Sequence, residues 1–119
     1  MDISQAIAQL KTAPGFTEQV GMILIHNGVV RAWSRQNKNP VSQLEVKVDY
    51  PKIAQLVKQF EQRPGIFKII VEAKEGLFKP GDDLLFIVVA GDIREHVTSV
   101  LSELLEKIKT EAVIKKEFF

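Results

Sequence analysis

The chain contains no cysteine. Disulfides, thiolate metal ligands and a cysteine nucleophile are therefore excluded, and the composition fits a reducing compartment. Histidine is scarce, at two residues. His26 and His96 both read as structural, and no metal site is expected. Neither sign of charge dominates: 16 Lys+Arg against 15 Asp+Glu leave +1, which argues against a broad nucleic-acid footprint. No apolar run approaches the roughly 20 residues that a membrane-crossing helix needs; the longest is Leu84–Ala90. The opening Met-Asp-Ile-Ser-Gln is polar and acidic, unlike a secretory signal. No P-loop, GxGxxG or GxSxG motif is present. These absences describe a cytoplasmic protein with no membrane or nucleic-acid partner.

What is there is an ordinary globular composition, 45% apolar and 26% charged over 119 residues, enough for one domain spanning 1–119. Asp2 starts a first helix, with Gln5 placed for a capping box and Ile3, Ile7 and Leu10 as the apolar stripe; Pro14-Gly15 ends it. Val20–Ile25 is near-continuously apolar and reads as a strand buried on both faces. Asn27-Gly28 breaks or bulges that strand, and Val29-Val30-Arg31 resumes it. Residues 32–42 are polar and without period, a mobile loop. Leu44, Val46, Val48 and Tyr50 alternate with polar residues, a half-buried strand.

Pro51 suits the first turn of a helix carrying Ile53, Leu56, Val57 and Phe60. Phe67, Ile69, Val71 and Ala73 mark another strand. Pro80-Gly81 has type II turn composition, and Leu84–Ala90 is the most buried strand candidate. Asp92, with Glu95 three residues on, caps a last helix with Val97, Val100, Leu104 and Ile108 on one face. The order α-β-β-α-β-β-α plus a short tail predicts an α+β fold, a mainly antiparallel sheet with helices packed on one side.

Four cations are candidates for a shared anionic ligand: Arg31, Arg94, Lys109 and Lys116. Lys109 falls in the last turn of the final helix, where the dipole favours a cation. Lys115 and Lys116 follow in an exposed tail. Two readings stand for these lysines: a solvated basic tail, or a partly desolvated amine serving as base or nucleophile. Arg31, at a strand end beside a polar loop, either forms a surface ion pair or grips phosphate or carboxylate bidentately. Arg94 opens the last helix, where a cation opposes the dipole; an anion there, or pairing with Asp92 or Glu95, would compensate. Trp33 and Arg35 in the loop could stack on a ring-shaped ligand.

These residues carry a family resemblance over roughly residues 19–117. Gly28-Val29-Val30-Arg31 resembles the Phe-Val-Gly-x-Val-Arg segment of molybdopterin synthase large subunits, the MoaE family. Leu44-Glu45, Tyr50-Pro51 and Ile53-Ala54 resemble that family's Leu-Glu-Tyr-Glu-x-Tyr-Pro-x-Met-Ala. Gly76-Leu77 to Gly81-Asp82 resembles its Gly-x-Leu-x-x-Gly-Glu hairpin. Arg94 falls on the arginine of its His-Arg pair, and Lys109 on its helix-end lysine. Lys116-Glu117 falls on its Lys-x-Glu segment. The chain departs at His26-Asn27, which stand for Phe-Val, at Ile93, which stands for the histidine before Arg94, and at Val46-Lys47, which stand for Tyr-Glu.

The resemblance implies an α/β hammerhead fold and a homodimer within a heterotetramer. It implies a small ubiquitin-like sulfur-carrier partner of the MoaD type, whose Gly-Gly tail ends in a thiocarboxylate. Sulfur would pass from that tail to cyclic pyranopterin monophosphate, forming the molybdopterin dithiolene without a cofactor in this subunit. Lys109 and Lys116 would be catalytic; Arg31, Arg94, Val30 and Glu117 would bind substrate. A non-catalytic relative that binds the tail or a pterin, and an unrelated α+β binding domain, are the alternative readings.

Overall fold

In the computed structural model, which describes residues 1–119, the elements run α1 (Ile3–Lys11), α2 (Phe16–Gln19), β1 (Met22–Val29), β2 (Gln43–Val48), α3 (Tyr50–Phe60), β3 (Ile66–Ala73), β4 (Gly76–Phe78), β5 (Asp83–Gly91), α4 (Arg94–Glu111) and β6 (Val113–Phe118). Local chemistry sets several of the ends. The Asp2 carboxylate accepts from the Gln5 backbone N–H at 3.0 Å, and Asp49 does the same for Lys52 at 3.0 Å ahead of Pro51. Each satisfies one of the orphan donors at a helix start. Gly81 takes φ +95 in the Pro80-Gly81 turn, closed by Asp82 N–H to Lys79 C=O at 3.0 Å, which is the type II turn expected from the composition.

The strands form two antiparallel three-stranded sheets, β1-β5-β3 and β4-β2-β6. Helix and antiparallel sheet in one chain make this the α+β class expected. Central strand β5 is buried from Leu84 to Ala90 because it is flanked by strands on both edges and covered on both faces. Ile87 and Val89 join Val97, Val100, Leu104 and Ile108 of α4, and Leu56 and Phe60 of α3, in the main core. Val88 and Ala90 face the other way and pack with Leu10 of α1 and with Phe16, Ile23, Ile25 and Phe67. Helices thus lie on both sides of this sheet, not on one. A strand without polar alternation has two apolar faces to cover.

Other expectations are corrected by the same contacts. Strand β1 is half-buried, because it is an edge strand with only β5 beside it. It continues through Asn27-Gly28 with a register shift between Gly28 and Val29, a bulge and not a break. The periodless stretch after it is pinned: Trp33 bridges to Pro40, and Val41 N–H bonds Ala32 C=O at 2.9 Å. Asp92 does not cap α4. Ile93 occupies that position, while the Asp92 carboxylate binds the Ile93 N–H and His96 Nδ1, at 2.6 and 2.8 Å.

The largest difference is at the end of the chain. The residues expected as an exposed tail form β6, paired with β2 from Val48↔Val113 to Gln43↔Phe118. Helix α4 stops at Ala112, whose carbonyl accepts from Asp49 N–H at 2.8 Å and turns the chain onto the open edge of β2.

Leu104 is fully buried between the sheet and α3. Leu104→Ala is expected to cost about 2–5 kcal/mol, transfer plus cavity. Urea denaturation should show this as a lower midpoint with an unchanged slope.

Candidate functional site

Directly opposed residues of an antiparallel pair share a face. Val46 and Leu44 of β2 are buried, and they stand opposite Lys115 and Glu117 of β6. Pairing therefore turns Lys115 and Glu117 to the core side of this sheet. Lys116, between them, lies on the outer face opposite Glu45, with its Nζ 5.2 Å from the centre of the Phe118 ring.

A cleft of about 850 Å³ opens where the two sheets meet. From β1 and its continuation come His26, Gly28, Val30 and Arg31; from the following loop, Arg35 and Val41; from β5, Leu84 and Leu85. Helix α4 supplies Lys109, and β6 and the residue after it supply Lys115, Glu117 and Phe119. Four basic side chains, Arg31, Arg35, Lys109 and Lys115, thus line one space against a single acid, Glu117. In a chain of net charge +1 this is a local concentration of charge, suited to an anion.

The structure brings Val30, Arg31, Lys109 and Glu117 together in this cleft and leaves two other expected residues outside it. Lys116 is excluded by strand alternation. Arg94 is 80% exposed in the first turn of α4, 4.0 Å from Glu95, and lines no part of the cleft. Its neighbour Ile93 is also exposed. Trp33 stands between Arg31 and Lys38, each 5.1 Å from its ring centre, so its face is engaged by the chain's own cations.

Three residues in or beside the cleft were not assigned to it from sequence. Lys115 is the first. As a whole the residue is exposed, but its ammonium end reaches into the cleft; burial there, then Lys109 and Arg31, hold it below the ordinary lysine value, while Glu117 opposes the shift. Lys115 also borders, with Lys109 and Lys74, a small hollow of about 20 Å³ whose other walls include Val46, Val48, Leu84 and Leu85. The signal that could have found Lys115 is the period of two: with Val113 on the inner face, so are Lys115 and Glu117.

The second is His26. Burial, then the charges of Lys109 and Lys115, hold its imidazole below the ordinary histidine value. The third is Ser34, the one polar side chain in the buried set. Its hydroxyl donates to Glu117 Oε1 at 2.9 Å and accepts from the Gln36 N–H at 3.4 Å, fixing the loop and the acid to each other. Nothing in the sequence pattern marks that contact, whose ends are 83 residues apart. No three His, Asp or Glu side chains converge anywhere in the chain.

The family model "MoaE protein" matches residues 1–111. The chain belongs to the MoaE family. Among solved structures similar to this MoaE chain, molybdopterin synthase from Staphylococcus aureus superposes with a TM-score of 0.78 at 21% identity, over 100% of this chain and 85% of that one. A MoaE protein from Burkholderia ambifaria gives 0.78 at 19%, over 100% and 78%. The complex of subunits 1 and 2 of the molybdopterin-converting factor from Helicobacter pylori gives 0.69 at 14%, over 98% and 78%. A curated "Probable molybdopterin synthase" from Haloferax volcanii is 26% identical over 102 residues, 82% of this chain; the chain spans only 39% of that protein. No helix of this MoaE chain is long and apolar enough to cross a membrane.

The charge argument is directly testable. Lys109→Met removes one of the positive neighbours of Lys115 and should move its titration back toward 10.5, incompletely because burial is the larger cause. Carbon-13 NMR of reductively methylated lysines reads this; an unmoved Lys115 midpoint would contradict the coupling.

Proposed function

We propose that this chain is the catalytic subunit of a molybdopterin synthase, working in the cytoplasm. It would transfer sulfur from the thiocarboxylated Gly-Gly tail of a small ubiquitin-like, MoaD-type partner to cyclic pyranopterin monophosphate, giving the dithiolene of molybdopterin. The observation that carries this reading is the cation-lined cleft at the sheet junction of a MoaE chain. Both reactants present anions: a phosphate on the pterin and a thiocarboxylate on the tail. Arg31 offers a planar fork to the phosphate. Val30, buried beside it, offers an apolar wall.

Lys109 and Lys115 line the same cleft, and the charge of Lys109 acts on Lys115. A partly desolvated amine repelled by neighbouring cations loses its proton more readily, which suits Lys115 to acid–base or covalent work. Lys109 then supplies fixed positive charge as the intermediate forms. Glu117, held by Ser34, lies on the same strand face as Lys115 and opposes the loss of its proton. In this reading Lys115, which lines the cleft, takes the catalytic place beside Lys109 that the family resemblance implied for Lys116. Arg94 lies too far out to serve this cleft from the same subunit; in a homodimer within a heterotetramer it would serve the partner subunit's cleft or the subunit interface.

A second reading has one observation in its favour. Ile93 is exposed where the family pattern has a histidine, so a relative that binds the tail or the pterin without turnover is the alternative. A sulfur-transfer assay separates the two. The chain, a thiocarboxylated small subunit and cyclic pyranopterin monophosphate should yield dithiolene, followed as its fluorescent oxidised derivative. Lys109→Ala and Lys115→Ala should each lower the rate by at least about a hundredfold, the scale of general acid–base and electrostatic contributions, with the fold intact by circular dichroism. Lys116→Ala should stay within about twofold of the unmodified chain, as expected for an exposed outer-face residue. Absence of product beside an active control synthase would favour the binding-only reading.

A further inference from the structure

His26 is the unexplained group in the cleft. The other histidine, His96, has a carboxylate partner at 2.8 Å in Asp92. The His26 imidazole makes no hydrogen bond to any protein group, although it is half-buried on the wall of a polar cleft. Its position is built by the strand. His26 and Gly28 lie on the same face of β1, and a Cβ at Gly28 would sit 3.1 Å from His26 Nε2. The missing side chain at Gly28 is what leaves room for the ring nitrogen along the cleft wall. A histidine used only as core filling has no need of that opening.

The charged and titratable groups around the ring come from every element lining the cleft: Lys109 on α4, Lys115 and Glu117 on β6, and Arg31 and Arg35 beyond β1. All but one are cationic. A proton on His26 adds a fifth positive charge to an unfilled cleft and is opposed; with a dianion in place the same proton is favoured.

We propose that His26 is a proton-exchanging residue of the cleft, taking up one proton from solvent when a dianion settles among Lys109, Lys115 and Arg31, and returning it when the anion leaves. Only N–H bonds form and break. The imidazolium gives the bound anion one further hydrogen-bond donor, and anion binding becomes linked to pH. In the free chain burial, then the charges of Lys109 and Lys115, hold the ring below the ordinary histidine value; a bound dianion offsets the repulsion of Lys109 and Lys115 and raises that midpoint. Between the two midpoints anion affinity falls by up to about tenfold for each pH unit of rise. If the function proposed above holds, the dianion is the pterin's phosphate in its ring-opened, doubly charged monoester form, since the cyclic phosphate and the tail's thiocarboxylate each carry a single charge. That identity rests on that reading; the proton uptake does not.

The test needs no turnover. Sulfate is the probe, because it stays dianionic throughout the range. Proton–nitrogen NMR follows the two histidine rings from about pH 8 to about pH 5.5, spanning the ordinary histidine range, with and without sulfate. His26→Phe serves as assignment and control, and phenylalanine is the residue of the family pattern at this position. The His26 midpoint should rise with sulfate while His96 stays put, and calorimetry in buffers of different ionisation enthalpy should record proton uptake. In His26→Phe the pH dependence of sulfate affinity should flatten. An unmoved His26 midpoint, an equal pH slope in His26→Phe, or no sulfate binding by the folded chain would each overturn the proposal. Sulfate-linked proton uptake in a chain that transfers no sulfur would leave it standing and remove the function proposed above.

Discussion

Strand β6 lies against β2 along the whole ladder from Val48↔Val113 to Gln43↔Phe118, and the presence of Lys115 and Glu117 in the cleft depends on that pairing. It closes the second sheet, buries Ala112 at the turn and brings Lys115 within reach of Lys109, one helix end and one short connection away in sequence. Without the ladder the last residues would be a basic tail, with their cations spread through solvent and screened by salt. With it, two amines and two guanidiniums share one space. The cost of bringing like charges together is offset by the packing of α4 and β5, where Ile87, Val88, Val89, Val97, Leu104 and Ile108 are completely buried.

The electrostatics of the cleft follow from this placement. In contacts such as Arg63–Glu103 and those of Glu111 with Lys52 and Lys107, each acid meets its basic partners at the surface. Such contacts contribute little to stability. The cleft is different, because Glu117 is the only acid among its cations, and Ser34 occupies one of its oxygens. Charge left uncompensated in a partly desolvated space is a common mark of a ligand site, and here it depresses the protonation of both Lys115 and His26. The bulge at Gly28 adds the remaining element, space beside the imidazole.

Much of this was legible beforehand. Apolar spacing located α1, α3 and α4, and alternation located β2 and β3, because these elements bury one face and keep the other wet. The helix-end lysine and the strand-end arginine were recognisable as candidates from their local setting, and both line the cleft. The errors came where a segment's neighbour decides its state. Strand β1 has the sequence of a central strand but lies at an edge, so its side chains are only half covered. Asp92 has the spacing of a helix cap, but a histidine one turn away competes for its carboxylate. Lys116 matches a seven-residue spacing from Lys109, yet a strand's period of two hides it on the outer face.

The sequence by itself determined the α+β class, the buried central strand and the membership of the MoaE family, because periodicity and family motifs are properties of neighbouring residues. Tertiary structure decided which lysine enters the cleft, that Ser34 clasps Glu117 across 83 residues, and that His26 faces two amines. Those outcomes depend on which strand a short charged segment pairs with. That choice was set by the free edge of β2 and the point at which α4 ends, and no local pattern encodes it.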